Sequence, residues 1–468
     1  MDTKEQLKRF LEPRSVAVIG VPRRTGVGDN VFENLLHFYH FSGRVYAVNP
    51  NATEILGHRV YPSIKEVPEV VDLAVLMVGR AAVPAVVRQC VDKGIKALAV
   101  TAQGLADSDE EGKRLQAEIV GIAQSGGARV IGPNSFGVAN VFNGLNTAFI
   151  RSEMHRVPIG SVIQTGLFFN SKFMLVGKGV DIGNTCDIDF ADCLEYFEHD
   201  QDVRLIALHI EGIKDGRRFI QVASRVARKK PILALKPGRS VKGANLTQSH
   251  SGSLAGNDKV YDAVFRQCGI IRVADVEELA DLARAFVRLP PMRGRRVGML
   301  TASGACAVMA ADACQSYGME LAELSPETRR LITQVSPPWA RPGNPIDLVP
   351  SALIQGLGTQ EAFRLLLNAL LRDKGVDGVI FVMPTLATQK GTWDVSAQAS
   401  DAANSFPEKP VVCWLSNPRL NGSGDLYEQN SKVTVFPSVE RCVRTLARLY
   451  QYHHLCEEQR PEEATKVE

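Results

Sequence analysis

Three consecutive α/β domains, each built on a parallel sheet, are predicted on three observations. At 468 residues, 45% of them hydrophobic and 22% charged, the chain is larger than the size at which a single core stops growing. Short apolar, β-rich runs alternate with helix-length amphipathic stretches from residue 15 to residue 455, the alternation that gives parallel sheets with helices on both faces. Every unit of the alternation follows one order: apolar strand, Gly-containing loop, helix. Ligand sites are therefore expected at the carboxyl ends of strands.

In the first block SVAVIG, RVYAVNP, DLAVLMV, IKALAVT and ARVIGPN read as strands, with helices over residues 31–39, 83–93 and 110–125. A second run of strands begins near Ser161 with SVIQ, RLIALHIEG and PILALKPG, and its helices include residues 215–228 and 275–287. The segment LPPMRGRR, with its prolines and charges, suits an exposed linker to the third block. That block runs from RVGMLTASG through DGVIFVMP and PVVCWLSN to a final helix over 439–452. The expected domains are residues 1–140, 141–289 and 290–455, followed by a charged tail, 456–468.

Lys+Arg of 54 against Asp+Glu of 51 leaves a formal net charge of +3, spread along the chain rather than gathered in a basic arm. Neither nucleic acid nor a membrane surface is an expected partner. Apolar runs such as 378–383 are too short to span a bilayer, and the opening MDTKEQLKRF has no signal-peptide core. Nine Cys occur without a C-x-x-C pair, which implies a reduced compartment, the cytoplasm, and neither a disulfide framework nor a metal site.

The first strand leads into Gly20, Val21, Pro22, Arg23, Arg24, Thr25, Gly26, Val27 and Gly28, and then a helix. Such a loop places backbone N–H groups and a helix N-terminus where a phosphate can rest. Its glycines depart from G-x-G-x-x-G, and the second strand ends in Asn49 and Pro50 where an NAD site carries an acid for the ribose hydroxyls. NAD is disfavoured. A neutral Asn is compatible with the ribose phosphate of coenzyme A, and a Gly-rich turn with only a packing role is the alternative.

From Leu11 to about Tyr450 the chain resembles the alpha subunit of ADP-forming acetyl-CoA or acyl-CoA synthetases, relatives of succinyl-CoA synthetase. The segments that carry the resemblance are SVAVIG, VNPN and GHRVYPSI, then IGPNSFG, LHIEGIKDGRRF and SHSGSLAG, and finally AADACQSYGMELAELS and GNPIDL. It implies a Rossmann-like CoA-binding domain followed by two flavodoxin-like ligase domains. Val78 and Asn134 join Gly20, Val21, Pro22, Arg23, Gly26, Gly28, Asn49 and Pro50 as the implied CoA contacts. Some positions depart from the family's usual text: Val21-Pro22 for Ala-Ser, Gln164-Thr165-Gly166 for a Ser-Gly pair, Ala302-Ser303-Gly304 for Asn-Gly-Gly, and Val78-Gly79-Arg80 for Val-Pro-Ala. These departures bear on substrate choice and activity.

By resemblance His250, in a polar segment rich in Gly and Ser, is the residue that is transiently phosphorylated. A neutral imidazole with one free ring nitrogen can attack an acyl phosphate. Lys236 and Arg239, at the base of that segment, would compensate phosphate charge. Glu211, ending the strand LIALHIE, is implied to accept the other imidazole N–H, fixing the tautomer; capping the next helix is its alternative role. Two strand-to-helix turns, Thr165-Gly166 and Ser303-Gly304-Ala305, would supply anion-stabilising N–H groups.

The implied reaction interconverts acyl-CoA, ADP and phosphate with carboxylic acid, ATP and CoA, through an acyl phosphate and a phosphohistidine. Nothing in the 468 residues resembles an ATP-grasp domain, so ATP or ADP and Mg²⁺ are assigned to an ATP-grasp beta subunit, in a hetero-oligomer or with a homodimer of this chain. The rival class is a non-catalytic CoA-binding or regulatory protein derived from such a subunit.

Overall fold

A computed structural model describes residues 3–166, 176–240, 242–243, 257–384, 393–416, 423–428 and 432–458. They form three mostly parallel sheets, carried on two compact units, Met1–Ala283 with two sheets and Arg284–Glu468 with the third.

The first sheet comprises β1 (Ser15–Ile19), β2 (Arg44–Val48), β3 (Glu54–Ile55), β4 (His58–Tyr61), β5 (Leu73–Leu76), β6 (Ala97–Val100) and β7 (Arg129–Ile131). Their order is β3-β4-β2-β1-β5-β6-β7, parallel throughout except for the β3–β4 hairpin. β1, β5 and β6 are buried at every residue, as expected for strands covered by helices on both faces. The order reverses between β1 and β5, which opens a crevice beyond their carboxyl ends. The helix Glu110–Ser125 starts where Asp109 accepts the N–H of Gly112 at 2.7 Å, a cap of about 1 kcal/mol. The helix expected over 31–39 is one short turn, Val31–Glu33, running into a π-turn, Asn34–Phe38. Asn34 explains part of the change, because its amide is drawn out to the Gly28 carbonyl at 3.1 Å.

The second sheet holds β8 (Gly137–Asn140), β9 (Leu145–Asn146), β10 (Ile159–Ile163), β11 (Lys178–Asp181), β12 (Leu205–His209), β13 (Ile232–Leu235) and β14 (Ile271–Val273). In the order β14-β13-β12-β10-β11-β8-β9 the five strands β10 to β14 run parallel, and β8 and β9 add an antiparallel edge. This is the flavodoxin-like order, with its switch point between β10 and β12. One apolar core reaches from Leu7, Phe10 and Val16 to Phe197 and Phe219, joining the first two sheets.

The third sheet, β15 (Arg296–Thr301), β16 (Glu320–Leu321), β17 (Ile346–Asp347), β18 (Gly378–Met383), β19 (Val411–Leu415) and β20 (Val433–Phe436), is parallel, with β15 and β18 side by side at its switch point. Separate cores around Phe363 and Phe381 and around Met299 and Phe436 cover its faces. The last helix, Val439–Glu458, runs into the segment read as a tail. Among the described residues no helix is long and apolar enough to cross a membrane.

Candidate active site

The first loop lies at the β1–β5 crevice. Gly20 has φ +87°, and a Cβ there would come within 2.3 Å of the Met77 carbonyl oxygen and 2.9 Å of Val78. Only glycine permits this approach, which brings the Gly20 and Val78 segments together. The loop is stapled by amides: Asn30 Nδ2 donates to the carbonyls of Pro22 (3.0 Å) and Arg24 (3.2 Å), and Asn49 Nδ2 to that of Val21 (2.8 Å). Asn49 Oδ1 accepts the N–H of Asn51 at 2.8 Å. Asn49 thus shapes the loop, a role that sequence reasoning did not give it. The Gly26 N–H, expected to face a phosphate, instead donates to Glu33 Oε2 at 2.9 Å. Glu33 is buried, paired to Arg151 at 3.0 Å, so burial of its charge is compensated within the loop. Arg23, Arg24 and Pro50 are exposed, and Gly28 lies beside the Arg151 side chain.

The turn after β7 carries Asn134 in the left-handed region, φ +55°. Its N–H donates to Ala102 at 2.9 Å, while Asn184 donates to Pro133 and Cys186 to Gly132 at 2.9 and 3.0 Å. The last turn of the first sheet is thereby laced to the loop after β11.

At the second switch point the side chains converge. Gln164, just beyond β10, is buried; its Oε1 accepts the N–H groups of Glu211 (2.7 Å) and Gly212 (3.0 Å), and its Nε2 donates to Thr185 Oγ1 (3.1 Å). Glu211, beyond β12, is buried at 5% exposure. Lys236, beyond β13, is also buried; its ammonium donates to the Pro237 carbonyl at 2.7 Å and stands 4.8 Å from the Tyr261 ring centroid. Burial pushes the Lys236 pKa below the usual lysine range, against the pull of Asp258 and Glu211. Arg239 is engaged elsewhere, donating to Val273 O at 2.6 Å. Thr165 and Gly166 are half-buried, and a Cβ on Gly166 would strike the Phe136 ring at 2.3 Å. Three residues here went unassigned in the sequence. Asp181 ends β11, accepting the N–H groups of Phe136 and Gly183; Lys214 donates to Asn184 O (3.0 Å) and Thr185 O (2.7 Å); and Gln164 registered only as a departure from family text.

His250 lies outside the described residues, as do Leu167 and Phe168. Lys236, at the base of the segment that bears His250, stands against Tyr261 of the following helix, Asp258–Cys268, and its ammonium feels the charge of Glu211. In the second unit, Ser303 precedes the helix Gly304–Ser316 in extended conformation without a side-chain cap bond, and its own N–H is held by Thr301 Oγ1 at 3.0 Å. Gly304 and Ala305 are exposed.

Two consecutive α/β sheets, each with a switch point at the carboxyl ends of its strands, place the chain in the class of nucleotide-binding α/β proteins. Residues 14–141 match a CoA binding domain family, and residues 168–286 match a succinyl-CoA ligase-like flavodoxin domain. The Pyrococcus furiosus acetate–CoA ligase (ADP-forming) II subunit alpha is 38% identical over 456 residues, 95% of this chain and 96% of that one. The Archaeoglobus fulgidus acetate–CoA ligase (ADP-forming) II is 37% identical over 389 residues, and the match covers 57% of its longer chain. A solved structure of the dinucleotide-forming acetyl-coenzyme A synthetase 1 of Ca. Korarchaeum cryptofilum, in complex with phosphate and ADP, superposes with TM-score 0.86 at 30% identity, covering 96% of this chain and 97% of that chain. The chain belongs to the family of ADP-forming acetate–CoA ligase alpha subunits, enzymes of acyl-CoA synthesis. The CoA-binding match agrees with the reading that disfavoured NAD in the first block.

Proposed function

We propose that this chain binds CoA at the first crevice, with Gly20 to Gly28, Asn49, Pro50, Val78 and Asn134 around it, and carries a phosphoryl group on His250. The domain limits proposed for this division of labour are those expected from sequence. The observation that supports it most is the grouping of Glu211, Lys236 and Gln164 at the ends of β12, β13 and β10, since the segment bearing His250 follows β13 directly in the chain.

The chemistry follows in balanced steps. A phosphate oxygen attacks the thioester carbonyl and the CoA thiolate leaves, taking up a proton, which forms acyl phosphate. An imidazole nitrogen of His250 then attacks phosphorus and the carboxylate departs. Glu211 receives the other ring N–H, so the ring's positive charge is countered as the phosphoramidate forms. Lys236 opposes the phosphate charge, and N–H groups at Thr165-Gly166 and, in the Ser303-Gly304-Ala305 turn, those of Gly304 and Ala305 serve as anion donors. ADP finally takes the phosphoryl group, with Mg²⁺, on an ATP-grasp subunit. That relatives are named as alpha subunits supports the existence of a partner subunit.

Acetyl-CoA and radiolabelled phosphate should label the full chain with an acid-labile, base-stable bond, and His250→Ala should carry no label. Label retained on the Ala variant removes the phosphohistidine. Supplied with ADP but no second subunit, the labelled chain should release no ATP.

A further inference from the structure

The phosphate chemistry leaves one buried acid at the strand ends unused. Asp181 closes β11 with 1% of its surface exposed. Both carboxyl oxygens are committed: Oδ2 accepts the N–H of Phe136 at 2.8 Å and Oδ1 that of Gly183 at 3.1 Å. The main-chain carbonyl of Asp181 accepts the Ser135 hydroxyl as well. The turn held in this way centres on Asn134 at φ +55°, a left-handed conformation uncommon for residues with a Cβ and adopted more readily by asparagine than by most.

We propose that Asp181 is a positioning residue for the CoA end of the reaction: its carboxylate clamps the Asn134 turn, through the Phe136 N–H, to the end of β11, the strand beside β10. The proposal rests on reading Asn134 as a CoA contact. A carboxylate suits the task because two donors from different loops converge on the two oxygens of one planar group. An amide has one acceptor oxygen and would turn its NH₂ toward the second donor, and a serine hydroxyl reaches only one of them.

The clamp is sensitive to protonation. Burial pushes the Asp181 carboxyl up to about 7, and the charge of Glu211 adds to the rise, while the N–H groups of Phe136 and Gly183 oppose it. The charged group that acts on it is Glu211 beyond β12, and in the loop after β11 the ammonium of Lys214 rests on the carbonyls of Asn184 and Thr185. A protonated acid keeps one good acceptor and carries a hydroxyl that needs an acceptor of its own, so the grip on one loop weakens as pH falls.

Calorimetric titration of the full chain with CoA, from about pH 6 to about pH 8.5, tests this. Affinity should rise roughly tenfold across the range for the natural chain, the effect of about one pKa unit of differential interaction. Asp181→Asn should bind at high pH only as well as the natural chain does at low pH. Titration of the 3′-phosphate of CoA is common to both proteins and cancels in their difference, so parallel curves overturn the clamp. Should the Asn variant not fold, hydrogen exchange at the Phe136 amide of the natural chain, corrected for intrinsic rate, decides. Protection should grow with pH, and constant protection overturns the proposal. Asn134→Ala separates the two layers. If it leaves CoA affinity unchanged, the CoA reading of the turn is wrong; if it weakens affinity while the Asp181 curves stay parallel, the clamp alone is wrong.

Discussion

Gln164 Oε1 accepts the backbone N–H of Glu211 at 2.7 Å, which fastens the end of β10 to the end of β12 across the switch point of the second sheet. The same oxygen takes the Gly212 N–H, and the amide nitrogen reaches Thr185. Replacement by Ala would leave two buried N–H donors without an acceptor, at about 1–3 kcal/mol for each group left unsatisfied. Gln164→Ala is therefore expected to lower the denaturation midpoint and to cut phosphohistidine formation at least tenfold by releasing the segment that bears Glu211, while CoA affinity stays within a factor of two. Chemical denaturation, labelling and calorimetry read the three effects separately, and an unchanged labelling rate would show that this staple is purely structural.

Lys236 offers the opposite combination. Its ammonium is buried and its pKa is pushed down by that burial, so folding disfavours the charged form. The sign follows from linkage: the unfolded chain holds the proton more tightly, and the penalty, present at neutral pH, is relieved as pH rises toward the unfolded lysine value. Lys236→Met keeps the apolar stem against Tyr261 and removes the buried charge. The variant should be as stable as the natural chain at pH 7 or more so, yet should lose phosphorylation by one to two orders of magnitude. A Met variant that phosphorylates normally would take Lys236 out of the phosphate site.

Legibility in the sequence divides along the same physical lines. Long apolar runs such as Leu205–His209 and Gly378–Met383 announce themselves as buried strands, and the Gly-containing turns after them place Gly20, Gln164, Glu211 and Ser303 at strand ends. β11 is hidden because its four residues are Lys-Gly-Val-Asp, with neither an apolar run nor alternation. It is nonetheless buried throughout, since Lys178 is matched by Asp200 at 2.7 Å, Asp202 at 2.9 Å and Glu12 at 3.3 Å, partners that only the folded chain brings near. Asp181 was missed for the same reason. The antiparallel edge β8–β9 carries buried Asn140 and Asn146, polar residues that read as loop until their backbone and side-chain partners are seen. For Asn49 the sequence showed the missing acid of an NAD site, but the amide's bond to the Val21 carbonyl depends on a loop that returns from elsewhere in the fold.

The buried Asp181 also makes a statement about stability, with a sign opposite to that of an ordinary ion-paired carboxylate. Its pKa is raised from 3.8 to about 7, so its contribution is fully present below pH 3.8 and is lost as pH rises through about 7. Three units would correspond to about 4 kcal/mol, an order-of-magnitude ceiling. The slope of unfolding free energy against pH between about 4 and 7 should be less negative or more positive in Asp181→Asn than in the natural chain. Urea unfolding at several pH values gives that difference, and equal slopes would mean that Asp181 ionises normally. Charge on this acid thus holds the Asn134 turn while costing global stability.

Gly166 and Phe136 provide the last test, because their contact joins the expected phosphate turn to the Asn134 turn without a hydrogen bond. A Cβ on Gly166 would lie 2.3 Å from one Phe136 ring carbon and 2.4 Å from another, far inside van der Waals contact, and the ring cannot retreat freely because Phe149 packs on it with centroids 4.5 Å apart. Gly166→Ala must therefore displace the ring or the turn, an overpacking cost of about 1–3 kcal/mol. If the contact sets the spacing between the two turns, the Ala variant should lose phosphorylation by acetyl-CoA and phosphate more than it loses CoA affinity. Phe136→Leu, which trims the ring, should cost activity modestly alone and restore much of it when combined with Gly166→Ala. Stability and labelling rates of the two single variants and the double variant form a thermodynamic cycle. Additive losses in that cycle, with no rescue, would show that Gly166 is required for its backbone N–H geometry rather than for the space it leaves to Phe136.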